Sequence, residues 1–166
     1  MTDGEEGDSQ LEARPEEWRR EGLEGHEEGR LQVTELSRQR LAECHPDIRR
    51  VIEAVDKVWP LNVSCGHRDK KVQDHAYMTG KSKLVWPMSN HNQLPSRAVD
   101  IQPTEVLPSG KATIDWNDTQ RFCYLAGYVL ATAHMLGVKM RWGGDWDMDT
   151  ERKDNKFNDL PHFELV

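Results

Sequence analysis

The sequence predicts an α+β domain, on three observations. Two stretches, 46–58 and 118–136, carry apolar residues at helical spacing. Four short segments, 61–65, 97–102, 138–142 and 162–165, read as strands. The two kinds are mixed without the regular strand–helix–strand alternation that builds a parallel sheet.

Taken in order, Pro46 suits the first turn of a helix, and Ile48, Val51, Ile52, Val55 and Val58 then recur on one face until Pro60 ends it. Leu61, Val63 and Cys65 alternate with Asn62 and Ser64, the pattern of a half-buried strand. Asp69–Met78 is expected to be a short helix with Val72, Ala76 and Tyr77 facing inward, and 80–95 a loop. Arg97–Gln102 reads as a strand stopped by Pro103. Asn117 or Asp118 caps a long helix whose stripe is Phe122, Leu125, Ala126, Val129, Ala133 and Leu136, with Gly137 as its stop. Val138–Trp142 is a strand, 143–160 a polar loop, and His162–Leu165 the last strand.

The chain has 166 residues, room for one domain. Of its 22 basic and 29 acidic residues, 4 and 11 lie in the first 30, which leaves 18 of each over 31–166. Residues 1–30 are expected to be a disordered acidic leader and 31–166 a balanced domain. A balanced body offers no basic footprint, so nucleic acid is not expected as a partner. The best candidate for a membrane span, 124–138, is short and interrupted by Thr132 and His134, so no stable membrane association is expected. The N-terminus lacks a basic segment followed by an apolar one, so no secretory signal is expected. Cys44, Cys65 and Cys123 form no CxxC pair and read as ordinary thiols of a reducing compartment.

Of seven histidines, His26, His45, His75 and His134 read as structural. His91 and His162 differ because of their neighbours. Alternation that sends Val99 and Ile101 to the core turns Asp100 to the opposite face, beside the small Ala98. Likewise Phe163 and Leu165 face the core, which leaves His162 and Glu164 on the other side. Two imidazoles and a carboxylate (His91, His162, Asp100) are a sufficient set for a catalytic zinc, which keeps a fourth position for water. A structural zinc would want thiolates, and no cysteine stands near these motifs in sequence. Peptide hydrolysis also needs a base, and Asp159 stands three residues before His162, where Pro161 lets the chain bend. Asp159 also reads as a plain turn residue.

Ser89-Asn90-His91, Ala98-Val99-Asp100, Arg141-Trp142-Gly143-Gly144-Asp145-Trp146 and Asp159-Leu160-Pro161-His162-Phe163-Glu164, with Cys65-Gly66-His67-Arg68 and Gly80-Lys81-Ser82-Lys83, together resemble the zinc D-alanyl-D-alanine carboxypeptidase and L-alanyl-D-glutamate endopeptidase family. The phage endolysin branch is the most similar, over about residues 35–166. The resemblance implies a small antiparallel sheet flanked by helices, the fold shared with hedgehog-like domains, with the zinc site on the sheet face. It implies His91, Asp100 and His162 as ligands of Zn2+, Asp159 as general base, and Arg68 as the group that polarises the scissile carbonyl. Ser89, Trp142, Asp145 and Trp146 are the candidates for lining the substrate groove. The pattern differs in three ways: Asp100 stands nine positions after His91 and not seven, no Gly lies between them, and the base is Asp rather than Glu, as in the endopeptidase branch.

The implied function is cleavage of the L-Ala–D-Glu bond in the peptidoglycan stem peptide. A D-alanyl-D-alanine carboxypeptidase and a non-catalytic zinc-containing wall-binding module are the alternatives. A monomeric, single-module lysin is expected, held in the host-cell cytoplasm until the membrane is breached.

Overall fold

The computed structural model describes residues 34–109 and 111–166, within the unit Leu31–Val166. The expected leader, residues 1–30, lies outside the described residues. The first element, α1 (Glu35–Ala42), is not among those expected. Thr34 caps it by accepting the Ser37 N–H at 3.2 Å. Its buried residues are Ser37 and Leu41, so it has no apolar stripe for periodicity to reveal. Polar contacts dock it instead: Ser37 Oγ accepts the Val63 N–H at 3.1 Å and donates to Asn62 Oδ1 at 2.9 Å. That covers an edge strand which would otherwise face solvent.

Helix α2 (Pro46–Asp56) starts where expected, with His45 Nδ1 accepting the Asp47 N–H at 3.2 Å. It stops two residues short of Val58, which stays exposed. Strand β1 (Leu61–Cys65) has the expected bounds. Helix α3 (Lys70–Met78), capped by Asp69, departs from expectation in its buried face. Val72 and Tyr77 are exposed, and the buried residue is Gln73. The inner side of α3 meets the polar cleft described below rather than the core. Strand β2 (Ala98–Pro103) includes Pro103, which pairs with Leu61 at the strand end, where a missing N–H is tolerated. A short unpredicted ribbon follows, β3 (Glu105–Val106) with β4 (Ala112–Thr113).

Helix α4 (Thr119–Met135) is capped by Asp118, which accepts the Arg121 N–H at 3.0 Å. Five of the six expected stripe residues are buried. The sixth, Leu136, sits in the C-cap and is exposed, and Gly137 closes the helix with φ of +69°. Strands β5 (Met140–Trp142) and β6 (His162–Leu165) complete the molecule.

Four strands form one antiparallel sheet in the order β1-β2-β6-β5. The register places Val99 opposite Phe163 and Trp142 opposite Phe163, so these share the face that α2 and α4 cover. Ile48, Ile52, Val55, Leu125 and Val129 are wholly buried there, each contributing about 1.5–3 kcal/mol. The same register pairs Asp100 with His162, and Ala98 with Glu164 and Glu164 with Arg141, on the opposite face. The expected α+β fold and its small antiparallel sheet are therefore present.

Candidate metal centre

Asp100 on β2 and His162 on β6 are direct cross-strand partners, so strand register alone brings them together. His91 arrives from elsewhere, on a single 3-10 turn, Asn90–Asn92. Ser89 caps that turn: its Oγ accepts the His91 N–H at 3.3 Å, and its own N–H donates to Asn92 Oδ1 at 3.1 Å. The turn is clamped to the segment after β1. Arg68 N–H donates to His91 O at 2.7 Å and Asn92 Nδ2 donates to Arg68 O at 2.9 Å. Gly66 fits this place because a Cβ there would stand 2.1 Å from Arg40 O.

The nine-residue return from His91 to Asp100 is closed by the buried Ser96. Its Oγ lies 2.7 Å from Ala98 O and 3.2 Å from Gly66 O, and it accepts the Ala98 N–H at 3.2 Å.

His91 Nε2, His162 Nδ1 and Asp100 Oδ1 form a nearly equilateral triangle with sides of 3.1, 3.1 and 3.2 Å. His91 Nδ1 lies 2.7 Å from Gly66 O, a group that can only accept, so the proton is on Nδ1 and Nε2 presents a lone pair. His162 Nε2 lies 3.2 Å from Glu164 Oε2. Burial works against the Glu164 charge, but His162, Arg141 and Asn90 together pull its pKa down to about 2, so it is an ionised acceptor. The His162 proton is therefore on Nε2, and Nδ1 is bare. When both imidazoles are neutral in these tautomers, three lone pairs converge on one point.

Tetrahedral donors 2.0–2.1 Å from a zinc ion stand about 3.3–3.4 Å apart. The triangle has the size such an ion would need, and the carbonyl and carboxylate behind the imidazoles are of the kind that orients histidines toward a metal. With no cation bound, Asp100 favours a proton on the imidazoles instead, and a metal ion would displace that proton. Burial alone would depress the His91 pKa, yet the Asp100 charge and hydrogen bond raise it to about 10. The Asp100 carboxyl, though buried, is driven well below its usual range by the two histidines.

Cys65 corrects an expectation. Its Sγ and the donor atoms of His91 and Asp100 lie within 4.8 Å of one another. The ladder is irregular between Val63 and Cys65, which brings Cys65 opposite Asp100 and breaks the alternation that would have sent it to the core. Burial opposes its ionisation, but His91 beside it lowers the thiol pKa overall. The triangle with His162 is the tighter of the two groups and has both imidazole lone pairs aimed inward. Cys44 is buried, with its pKa pushed up to about 12 by burial, as expected of an inert thiol.

Asp159 borders the same centre. A 3.0 Å bond from His162 N–H to Asp159 O closes a turn through Leu160 and Pro161. The turn docks on Gly143: Asp159 N–H donates to Gly143 O at 2.7 Å, and Gly143 N–H donates to His162 O at 2.8 Å. Burial pushes the Asp159 carboxyl up from its ordinary value, and the Asp100 charge adds to this. Among the described residues no hydrogen bond engages that carboxylate.

A family model described as phage L-alanyl-D-glutamate peptidase matches residues 30–166. The chain belongs to that family. Among solved structures, the Serratia marcescens L-Ala D-Glu endopeptidase ChiX is similar, with a TM-score of 0.62 and 27% identity over 85% of this chain and 94% of that one. A search of curated proteins finds no match.

In this phage-type peptidase the triangle opens onto a cleft of about 720 Å³ lined by Arg68, Ser89, Asp159 and Trp146. Arg68 is held from two sides. Nη2 donates to Asp100 Oδ2 at 3.3 Å and Nη1 to Gln73 Oε1 at 3.2 Å, and the fork keeps further N–H groups. Trp146 forms a wall: its ring lies 5.4 Å from that of His162 and stacks on Phe157, while Arg141 lies over it at 5.5 Å.

The other two candidates for the groove sit apart from it. Trp142 is buried on Phe163 and donates Nε1–H to Leu160 O at 2.7 Å. Asp145 accepts the Asp149 and Thr150 N–H groups at 3.2 and 3.0 Å, which orders its own loop. Gln73 is the site residue that the sequence hides. It looks like any surface glutamine, yet it is wholly buried and its Nε2 donates to Ser82 Oγ and Leu84 O.

Proposed function

We propose that the chain is a zinc endopeptidase of the endolysin type that hydrolyses the L-Ala–D-Glu amide of peptidoglycan stem peptides. The observation that carries this reading is the triangle of His91 Nε2, Asp100 Oδ1 and His162 Nδ1 at one side of an open cleft. Family membership and the likeness to an L-Ala D-Glu endopeptidase support the choice of bond.

Zinc at this centre would supply Lewis acidity, polarising a carbonyl and making a water easier to deprotonate. The chain's own groups do the rest. Asp159 takes a proton from the attacking water as its oxygen bonds to the amide carbon. It then delivers that proton to the amine as the C–N bond breaks. Its raised pKa suits both duties better than that of an ordinary aspartate. Arg68 keeps Asp100 in place with one edge and offers its remaining N–H groups to the developing oxyanion. Trp146 and Phe157 shield one wall from water.

In this reading the enzyme reaches the wall from the producing cell's cytoplasm after the membrane is breached. Purified protein is to be incubated with stem peptide or muropeptides, with metal content measured alongside. Release of an amine at D-Glu, lost with a chelator and restored by zinc, is the expected result. Release of terminal D-Ala, or binding without cleavage, would overturn it.

A further inference from the structure

The cleft contains four permanent cations, and only two are neutralised. Arg68 pairs with Asp100 at 3.3 Å, and Arg141 pairs with Glu164. Lys81 and Lys83 line the same cleft on the segment after α3, and among the described residues neither has a carboxylate within ion-pair distance. A lysine on a surface loop is ordinarily just solvated. Here the backbone that bears both is fastened down. Ser82 N–H donates to Ala76 O at 3.0 Å, and buried Gln73 donates Nε2–H to Ser82 Oγ at 2.9 Å and to Leu84 O. Gln73 also accepts from Arg68, so one side chain links the lysine segment to the guanidinium beside the metal centre. Across the cleft, Lys83 Nζ stands 6.0 Å from the Phe157 ring centre, on the opposite rim.

Substrate chemistry supplies the missing charge. A D-glutamyl residue has two carboxyl groups. One continues the peptide, and the other remains a free carboxylate a few bonds from the scissile nitrogen. The alanyl side of the bond carries no such group. We propose that Lys81 and Lys83 bind this free carboxylate of the D-glutamyl residue and so make the enzyme selective for acidic residues on the leaving side of the bond. The assignment rests on the function proposed above and names the part of the cleft that recognises its substrate.

The test uses two synthetic peptides, each L-Ala–D-Glu continued through the γ-carboxyl. One keeps the α-carboxylate and the other carries an α-carboxamide. Both are offered to zinc-loaded wild type, the Lys81→Gln/Lys83→Gln double variant and Lys83→Glu. Wild type is expected to favour the carboxylate by about 10-fold in kcat/KM, mostly through KM, as suits one or two partly exposed ion pairs. The ratio should fall to about 1 in the double variant and likewise in Lys83→Glu, where the new carboxylate offsets the remaining Lys81. Because the ratio is taken within one protein, a general loss of folding or metal leaves it unmoved. A wild type without preference, or a preference that survives both substitutions, overturns the lysine assignment alone. A zinc-loaded wild type that cleaves neither peptide overturns the proposed function and this inference with it.

Discussion

Gly143 and Asp159 meet backbone to backbone. Asp159 N–H donates to Gly143 O at 2.7 Å, and a Cβ on Gly143 would lie 2.3 Å from Asp159 O and 3.1 Å from the His162 Cβ. The absent side chain is what lets the turn carrying Asp159 and His162 dock on the end of β5.

Gly143→Ala therefore pushes that turn outward. Its expected cost is about 1–3 kcal/mol of stability, with loss of metal affinity and of turnover together. Urea unfolding and zinc titration of the purified variant check this. A variant as stable and as active as wild type would show that the close approach is unimportant.

Asp159→Asn separates chemistry from metal binding. The carboxylate engages in no hydrogen bond among the described residues and lies outside the triangle, so zinc content and unfolding midpoint should match wild type. Turnover should fall by about 100- to 10,000-fold, the usual worth of a general base. His162→Ala should lose zinc and turnover alike, and elemental analysis of the two variants side by side distinguishes them.

Glu164→Gln tests the support behind His162. The carboxylate that fixes the His162 proton on Nε2 becomes a neutral amide, and Arg141 loses its ion partner. Zinc affinity is expected to drop about 10- to 100-fold, measured by competition with a chromogenic chelator.

Gln73→Leu removes the amide that joins Arg68, Asn92, Ser82 and Leu84. Losing these bonds, of which the one to buried Asn92 is the hardest for water to replace, should cost about 1–3 kcal/mol. Peptide kinetics should show a higher KM as the lysine segment and Arg68 lose their common anchor.

Cys44 gives the pH dependence a definite sign. Its folded pKa of about 12 lies above the ordinary 9.0, so the unfolded chain releases this proton first. The stability it contributes is complete below pH 9 and declines as pH rises from there toward 12. Urea midpoints at pH 8 and pH 10 should differ less in Cys44→Ala than in wild type.

Several parts of the protein were legible in its amino acids. The stripes of α2 and α4 determined their bounds to within a few residues, because deeply buried helices must repeat apolar residues every three to four positions. Strand alternation put Asp100 and His162 on the face away from the core, and motif order singled out His91 and Asp159. Helix α1 was not legible, since it docks through the Ser37 hydroxyl and Leu41 instead of an apolar stripe. The buried face of α3 misled for a related reason: it covers a polar cleft, so Gln73 takes the place that Val72 and Tyr77 would fill over a core.

Sequence alone thus determined which residue types are available and which face of each element they occupy, because those follow from local periodicity. Tertiary structure decided what meets across the chain. The β2–β6 register sets Asp100 against His162, an irregular ladder turns Cys65 toward them, and Gly143 admits the Asp159 turn. Such distances between segments far apart in the chain depend on packing and pairing that no local pattern encodes.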